Sequence, residues 1–216
     1  RLACPPSEHP FADERASRFS GFGRQTIQRL PHTPDDIAVA LISAAIRLIG
    51  QPAADVIALR DRVVPFRKDD PGPTPFAHRQ AVRALVSSFR FSTIEGEEVA
   101  WHPPLTRTRE LRLLINRIQE ACFVTISYLV GARVSEILSL QANCVEERPS
   151  ADGAESFSYL RGRIFKTAGT DAGTPHLWPA PAPVLRAVEV LHHLSEPFRA
   201  ETGRSELWLS LAGRGV

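Results

Sequence analysis

The sequence predicts an α+β protein that is mainly helical and has one small antiparallel β-sheet. Apolar residues recur at helical spacing in several segments, of which the longest begins at Leu105. Further along the chain, the period changes to that of strands in FSYLRGRIFKT (157–167) and TPHLWP (174–179). The stretch AGTDAG between them predicts a turn, so these two strands form a β-hairpin.

Residues 1–100 are predicted to form a helical N-terminal region. Thr33, Pro34 and the two aspartates after them suit the start of a helix, and Gly50 suits its end. Apolar spacing predicts that the buried side of this helix carries positions 37, 41, 42, 45, 46 and 49. Shorter helices are predicted over 53–62 and 76–90, separated by the linker or loop DDPGPTPF at 69–76.

Residues 101–216 are predicted to form a second domain. After the helix-breaking WHPPL, it begins with one long helix, TRTRELRLLINRIQEACFVTISYLV, which Gly131 ends. The next predicted helix covers 133–140, with its inward side formed by Val134, Ile137 and Leu138. After the hairpin, a helix over about 181–194 and a short element at ELWLS (206–210) are predicted.

Composition excludes several classes of protein. The net charge is +2, and the fractions of hydrophobic (43%) and charged (23%) residues are ordinary for a globular protein. No apolar run approaches the roughly 20 residues that span a bilayer, and no secretory signal opens the chain, so no membrane partner is expected. The three cysteines have no CxxC pair, which favours reduced thiols in a cytoplasmic protein over a disulfide scaffold or a zinc site.

Two further features of composition bear on function. The chain has no methionine and begins at Arg1, so it is expected to be a piece of a longer protein. Of its 26 basic residues, only Lys68 and Lys166 are lysine. In a chain so rich in arginine, a lysine is a candidate for a role that arginine cannot fill, such as giving up a proton.

The segment LVGARVSEILSL (129–140) places Arg133 at the start of an apolar helix. This position is unexpected because the N-terminal turn of a helix favours anions over cations. Arg133 and Glu136 are spaced i,i+3, which indicates either an ordinary surface ion pair or part of a site for an anion such as phosphate. Between 101 and 133, five arginines stand against two glutamates, a basic excess that a solvated helix face also explains.

The motif YLVGARVSEILSLQANCV, followed by a hairpin that carries FKTAGTDAG, resembles the catalytic domain of the tyrosine recombinases, the phage integrase family. The resemblance covers about residues 105–216. It implies that Arg133 is the first catalytic arginine and that Lys166 is the catalytic lysine of the hairpin. It also implies that Glu136 supports Arg133.

The same resemblance implies a fold, an activity and a partner. It identifies 101–216 as the N-terminal half of a tyrosine-recombinase-like catalytic domain, which the helical region 1–100 precedes. Such proteins cleave and rejoin double-stranded DNA through a 3′-phosphotyrosyl intermediate, as homo-oligomers on DNA and without a metal or small-molecule cofactor. Fixed arginines meet the charge on the phosphate oxygens, and a lysine protonates the leaving 5′-oxygen.

The chain departs from the family pattern after the hairpin. The family continues with His-x-x-Arg, then His or Trp, then the nucleophilic tyrosine. No histidine that follows the hairpin turn has arginine three residues on, and the only tyrosines, Tyr128 and Tyr159, precede the turn. The chain itself is therefore expected to be inactive in cleavage, with the missing residues supplied by a longer protein.

Other candidate residues have more than one interpretation. Arg161 and Arg163 alternate along a predicted strand, and they either contact DNA phosphates or face solvent. His176 beside Trp178 is interpreted as structural. The remaining histidines and cysteines of the second domain are interpreted as helix surface (His192, His193) and core (Cys122, Cys144). Two alternative functions stay open: a non-catalytic DNA-binding protein that retains the recombinase fold, and an unrelated helical interaction domain.

Overall fold

The computed structural model describes residues 33–64, 75–150, 152–165 and 173–209. The chain divides between Asp35 and Asp36 into two units, and the second contains nearly all described residues. The helices are α1 (Asp35–Leu48), α2 (Gln51–Val63), α3 (Pro75–Ser88), α4 (Thr108–Val130), α5 (Val134–Leu138) and α6 (Ala182–Thr202). One antiparallel sheet is formed, in the order β1-β2-β3, by β1 (Val145–Pro149), β2 (Ser156–Ile164) and β3 (Thr174–Pro179). The predicted α+β class is confirmed.

The long helix α4 begins at Thr108, two residues after its predicted start at Thr106, and it ends before Gly131 as predicted. At its start, the Glu110 carboxylate accepts hydrogen bonds from the backbone N–H groups of Thr106 (2.8 Å) and Arg107 (3.2 Å). These bonds satisfy donors that the first helical turn leaves unpaired. At its end, Gly131 adopts a φ of 69°, a left-handed conformation that glycine reaches without strain.

The hydrophobic core lies where α2 and α6 pack against α4. One side of α4 is fully buried, through Leu111, Ile115, Ile118, Cys122 and Ile126. The same cluster includes buried residues of α2 and α6, such as Val56, Leu59, Val184 and Leu191. The core therefore joins residues from both sides of position 100, and the domain boundary between 1–100 and 101–216 stays a prediction.

By length and composition alone, α4 could cross a membrane, and the bent pair of α1 and α2 passes the same test when taken together. The sequence analysis found no membrane-spanning segment because charged residues interrupt the apolar run of this helix. The buried side of α4 packs against α2 and α6, as expected for a core helix. The expectation of no membrane partner stays a prediction.

Helix α1 buries less of its apolar surface than its sequence predicts. Ala45 in α1 and Ile49 just after it are buried, whereas 55% of Ile37, 42% of Leu41 and 38% of Ile46 is exposed. The predicted inward orientation is therefore wrong for Ile37, Leu41 and Ile46. Among the described residues, the helix meets the core near its C-terminal end, through Ala45 and the following Leu48 and Ile49.

Helix α5 is shorter than predicted, with five residues instead of the eight expected over 133–140. Ile137 is buried as predicted, but 58% of Val134 and 48% of Leu138 is exposed. The predicted inward positions are therefore wrong for these two residues. A helix of little more than one turn presents a single narrow side to the core, and Ile137 occupies it together with Glu136.

Strand β1 is absent from the sequence prediction. Its sequence, VEERP, does not alternate between apolar and polar residues, and it ends in proline. Charge and proline are typical of an edge strand, where one side of the backbone stays unpaired. The strand pairs with β2 from Val145 opposite Leu160 to Pro149 opposite Ser156.

Helix α6 continues to Thr202, beyond its predicted end near 194, although Pro197 lies inside it. Proline has no N–H, so it leaves the His193 carbonyl without its helical partner. The buried Arg60 of α2 supplies donors instead. Its Nη2 donates to the His193 carbonyl (3.1 Å) and its Nη1 donates to the Leu194 carbonyl (2.8 Å). This long-range contact lets α6 continue through the proline.

We expect Arg60→Met to lower the free energy of unfolding by about 2 kcal/mol, because two carbonyls of α6 each lose a hydrogen bond and the His193 carbonyl has no helical donor to replace it. Adding Pro197→Ala restores an N–H that pairs with the His193 carbonyl, so the double variant should recover about 1 kcal/mol. Urea denaturation of the two single variants and the double variant measures this coupling. Strictly additive losses would contradict the role assigned to Arg60.

Asp55 links α2 to the segment 91–101 through hydrogen bonds. Its buried carboxylate accepts hydrogen bonds from the Ser92 backbone N–H (2.7 Å), Trp101 Nε1 (2.8 Å) and Gln51 Nε2 (3.1 Å). Burial favours the neutral acid, but these hydrogen bonds outweigh it and hold the pKa of Asp55 below its ordinary value. Both carboxylate oxygens are occupied by structural partners, so Asp55 is not a candidate for catalysis.

Candidate functional site

The core-facing side of the sheet lies close to the end of α5. Leu160 and Trp178 lie opposite each other on this face and are buried, and Gly162 lies opposite His176. A Cβ at position 162 would come within 2.8 Å of the Trp178 ring and 3.1 Å of Leu140 Cδ2. The sheet can approach the end of α5 this closely only because residue 162 has no side chain.

Arg133 lies in the short link between α4 and α5. Two hydrogen bonds tie it to the same carboxylate: its backbone N–H donates to Glu136 Oε2 (2.8 Å), and its Nη1 donates to Glu136 Oε1 (2.8 Å). The predicted pairing of Arg133 with Glu136 is therefore present in the structure. Glu136 supplies the negative charge that the start of α5 favours, which explains how an arginine is accommodated there.

The two partners differ in their exposure. The Glu136 side chain is 3% exposed, whereas the Arg133 side chain is 49% exposed. Within the described ranges, the Arg133 side chain has no other hydrogen-bond or ion-pair partner. One edge of its guanidinium is thus fixed to a buried carboxylate, while the rest faces solvent.

Glu136 is ionised at neutral pH despite its burial. Burial favours the neutral acid, but the hydrogen bonds from the Arg133 backbone and guanidinium and the positive charge of Arg133 outweigh it. A protonated His176 acts in the same direction, and together these contacts hold the pKa of Glu136 below its ordinary value. At neutral pH the ionised carboxylate therefore keeps both hydrogen bonds to Arg133.

We expect Glu136→Gln to lower the free energy of unfolding by about 2 kcal/mol at neutral pH, because the charge-assisted bonds to Arg133 are lost. Since the folded-state pKa of Glu136 lies below the ordinary value of 4.5, its ionised form stabilises the fold above that pH. This contribution disappears as the pH falls through the folded-state pKa. Urea denaturation at neutral and acidic pH measures the free energy of unfolding of both proteins. The difference in this free energy between the variant and the wild type should be smaller at acidic pH. Glu120→Gln, at an exposed ion pair, is the matched control.

Residues near the end of the described chain hold α5 in place. Trp208 Nε1 donates to the Ile137 carbonyl (2.8 Å), and the Leu207 backbone N–H donates to the Leu140 carbonyl (2.9 Å). Glu206 also forms an isolated antiparallel bridge with Gln141. Of the short element expected at 206–210, the described residues 206–209 contribute an isolated bridge and two hydrogen bonds that hold the helix following Arg133.

The other predicted site residues are not gathered around Arg133 in the described structure. Lys166 and most of the hairpin turn lie outside the described residues, so its role stays a prediction. Arg161 and Arg163 alternate with Gly162 along β2 and therefore point to the opposite face of the sheet. Arg161 Nη1 lies 3.9 Å from Glu146 Oε2, and Arg163 Nη2 donates to the Gly173 carbonyl (3.1 Å).

His176, which the sequence analysis interprets as structural, lies on β3 opposite Gly162. Its ring packs edge-to-face on Trp178, with centroids 4.7 Å apart, as its interpretation as a structural residue expected. Strand alternation predicts this contact, because His176 and Trp178 are two residues apart and so share a face.

The described residues contain no group of three or more His, Cys, Asp or Glu side chains that could hold a metal ion. Cys122 and Cys144 are free and buried, which confirms their predicted place in the core. Burial raises the pKa of the Cys122 thiol to about 12 and that of Cys144 to about 11. Both thiols therefore stay protonated and are unsuited to nucleophilic chemistry.

Comparison of the chain with family models, curated proteins and solved structures gave no match. A functional proposal therefore rests on the residues of this chain and on the pattern in which they occur.

Proposed function

We propose that the chain is part of a tyrosine-type site-specific recombinase, which cleaves and rejoins double-stranded DNA in the cytoplasm. In this proposal, 101–216 are the N-terminal half of a tyrosine-recombinase-like catalytic domain, and 1–100 are the helical region that precedes it. The sequence GARVSEIL around Arg133 and the β-hairpin that follows it support the proposal. Arg133 and Lys166 are the proposed catalytic residues.

The observation that carries the proposal is the unequal burial of the Arg133–Glu136 pair. Arg117 and Glu120 form an ion pair with the same spacing, and their side chains are 72% and 59% exposed, as is usual for a surface pair. Glu136, by contrast, is buried and turns one edge of the Arg133 guanidinium inward. The exposed remainder presents a planar set of donors that matches the oxygens of a phosphate group.

Each residue then has a distinct part in the proposed reaction. A tyrosine from the longer protein attacks the phosphorus, a 3′-phosphotyrosyl bond forms and the 5′-oxygen leaves. Arg133 donates hydrogen bonds to the non-bridging oxygens, where charge builds up in the transition state. Lys166 gives its proton to the leaving 5′-oxygen. Glu136 makes no contact with DNA and acts by holding Arg133. As in the recombinases that the motif resembles, the proposed reaction uses no metal or cofactor.

The exposed face of the sheet is the proposed contact to the DNA backbone. Arg161 and Arg163 project from this face and would meet phosphates flanking the cleaved one. Recombination joins two DNA sites, so the intact protein is proposed to work as a homo-oligomer on DNA.

The chain itself is expected to bind duplex DNA and to form no covalent bond to it. Binding should weaken as salt rises, because arginine contacts to phosphates release counterions. End-labelled duplex DNA, incubated with the chain and separated on native and denaturing gels, measures both properties. Failure to bind DNA at low salt would contradict the proposal. A complex that survives denaturation would contradict the view that the nucleophilic tyrosine lies elsewhere.

The protein from which the chain comes provides the direct test of enzymatic activity. Its sequence beyond residue 216 should contain His-x-x-Arg followed by a tyrosine. With a pool of nicked duplexes, it should form a covalent 3′-phosphotyrosyl product that is lost when this tyrosine is replaced by Phe. DNA binding without such a product would favour the non-catalytic DNA-binding protein instead.

A further inference from the structure

We infer that the exposed face of the sheet binds an unpaired nucleic-acid strand, whose bases stack on Phe157 and Tyr159 and whose phosphates meet the arginines beside these rings. The exposed face is the side opposite the buried Leu160 and Trp178. This inference goes beyond the proposed function, which assigns the face to the backbone of duplex DNA and gives its aromatic side chains no role.

Strand alternation places both rings on the exposed face. The residues of β2 that alternate with the buried Leu160 point away from the core, and they are Phe157, Tyr159, Arg161 and Arg163. Phe157 is 47% exposed, and Tyr159 is half-buried. The two rings start from positions about 7 Å apart along the strand, so each provides a separate surface on which one base can stack.

Arginines lie beside the rings on the same face. Arg148 on β1 is opposite Phe157 in the strand register, and its side chain is 56% exposed. Arg161 follows Tyr159 by two residues, and its side chain is 53% exposed. Because opposite residues on paired strands point to the same side of a sheet, each ring has a cationic neighbour. A guanidinium binds phosphate oxygens and also stacks on planar groups.

The charge of the exposed face favours an anionic strand. Glu146 on β1 accepts a hydrogen bond from Arg148 Nε (2.8 Å), and its other oxygen lies 3.9 Å from Arg161 Nη1. This one carboxylate stands against the three arginines of the face, which leaves a net charge of +2. The acids of the β1–β2 turn, Asp152 and Glu155, lie at the opposite end from the β2–β3 turn. We therefore expect the phosphates to lie towards Arg161.

A cavity of about 450 Å³ lies on this part of the sheet, and its lining consists of Glu146, Arg148, Arg161, Pro175, His176 and Leu177. Its volume is within the range of sites that hold small molecules. The lining combines apolar side chains of β3 with the guanidinium groups of β1 and β2. A nucleotide has the matching combination of an apolar base face and an anionic phosphate.

The aromatic rings favour an unpaired strand over a duplex. The bases of a duplex stack on one another, so a protein meets their edges and the backbone, and arginines are sufficient for the backbone. Unpaired bases expose their flat faces, which stack on aromatic side chains with little dependence on sequence. Strand exchange between two DNA sites would supply such a strand, because bases beside the cut must leave one partner before they pair with another.

The intact 216-residue chain should bind fluorescein-labelled oligo(dT) of about 12 nucleotides, which forms no duplex with itself. Phe157→Leu and Tyr159→Leu should each raise the dissociation constant, measured by fluorescence anisotropy, by about 10-fold, because one base loses its stacking partner. Tyr159→Phe keeps the ring and should bind as the wild type does. Thermal unfolding followed by circular dichroism verifies that each variant is folded.

Phe76→Leu is the matched control, since Phe76 is a 68% exposed ring on α3 and lies outside the sheet. It should bind oligo(dT) as the wild type does. Arg148→Gln should weaken binding and reduce its dependence on salt, because one phosphate contact is lost. With a duplex of the same length, the two leucine variants of the sheet should bind as the wild type does, because paired bases cannot stack on the rings.

The outcomes distinguish this inference from the proposed function. If the chain does not bind oligo(dT), or if both leucine variants of the sheet bind it as the wild type does, the inference is wrong, whereas duplex binding would still support the recombinase proposal. Equal losses of affinity for oligo(dT) and duplex would also contradict the inference. If the chain binds oligo(dT) through the two rings but does not bind a duplex, the inference stands and the recombinase proposal is wrong.

Discussion

Arg133→Ala is expected to slow DNA cleavage by the longer protein by about 1,000-fold or more while changing its affinity for duplex DNA little. In the proposed reaction, the guanidinium meets charge that develops on the phosphate oxygens in the transition state, so its loss would raise the barrier to reaction. The affinity for duplex DNA is the sum of many phosphate contacts, so the loss of the single contact made by Arg133 should lower it little.

Single-turnover cleavage of a nicked duplex and a binding titration measure these two quantities separately. Arg117→Ala is the matched control, since Arg117 forms an ion pair of the same i,i+3 spacing with an exposed partner. It should cleave at the wild-type rate. If Arg133→Ala also cleaves at that rate, the Arg133–Glu136 pair has only a structural role.

Lys166→Ala is expected to slow cleavage by the longer protein by about 100-fold or more, the usual contribution of a general acid. Lys166→Arg should be a poor substitute, because arginine keeps the charge but cannot release a proton at neutral pH. Cleavage assays of both variants on ordinary DNA measure this difference.

A substrate with sulfur in place of the bridging 5′-oxygen separates proton donation from electrostatic help. Sulfur is a better leaving group and needs little protonation, so Lys166→Ala should recover most of its rate on this substrate. Arg133→Ala should not recover, since charge on the non-bridging oxygens still has to be stabilised. If sulfur rescues neither variant, or if Lys166→Arg matches the wild type on ordinary DNA, Lys166 acts only as a positive charge.

The elements predicted best are those whose sequence pattern is long and local. Helix α4 has 23 residues with regular apolar spacing and a terminal glycine, and the β2–β3 hairpin alternates over many residues. The pairing of Arg133 with Glu136 also follows from spacing alone, because i and i+3 are neighbours on a helical turn.

The features missed depend on contacts between residues that are far apart in sequence. α6 continues past Pro197, where Arg60, more than 130 positions earlier, supplies donors to its carbonyls. β1 has a weak pattern of its own and is defined by its pairing with β2. The burial of Glu136 cannot be read from its spacing to Arg133, since it depends on how α5 is held, in part by Trp208.

The closed contact between Arg133 and Glu136 also affects how DNA would reach the site. The two side chains together carry no net charge, so beyond the Debye length of about 8 Å they add little to the electrostatic attraction that steers DNA towards the protein. Long-range steering would instead come from arginines whose charge is not offset by a buried partner, such as the exposed Arg109 on α4. Arg133 would then act only at short range, on a phosphate of a duplex that other contacts have already positioned.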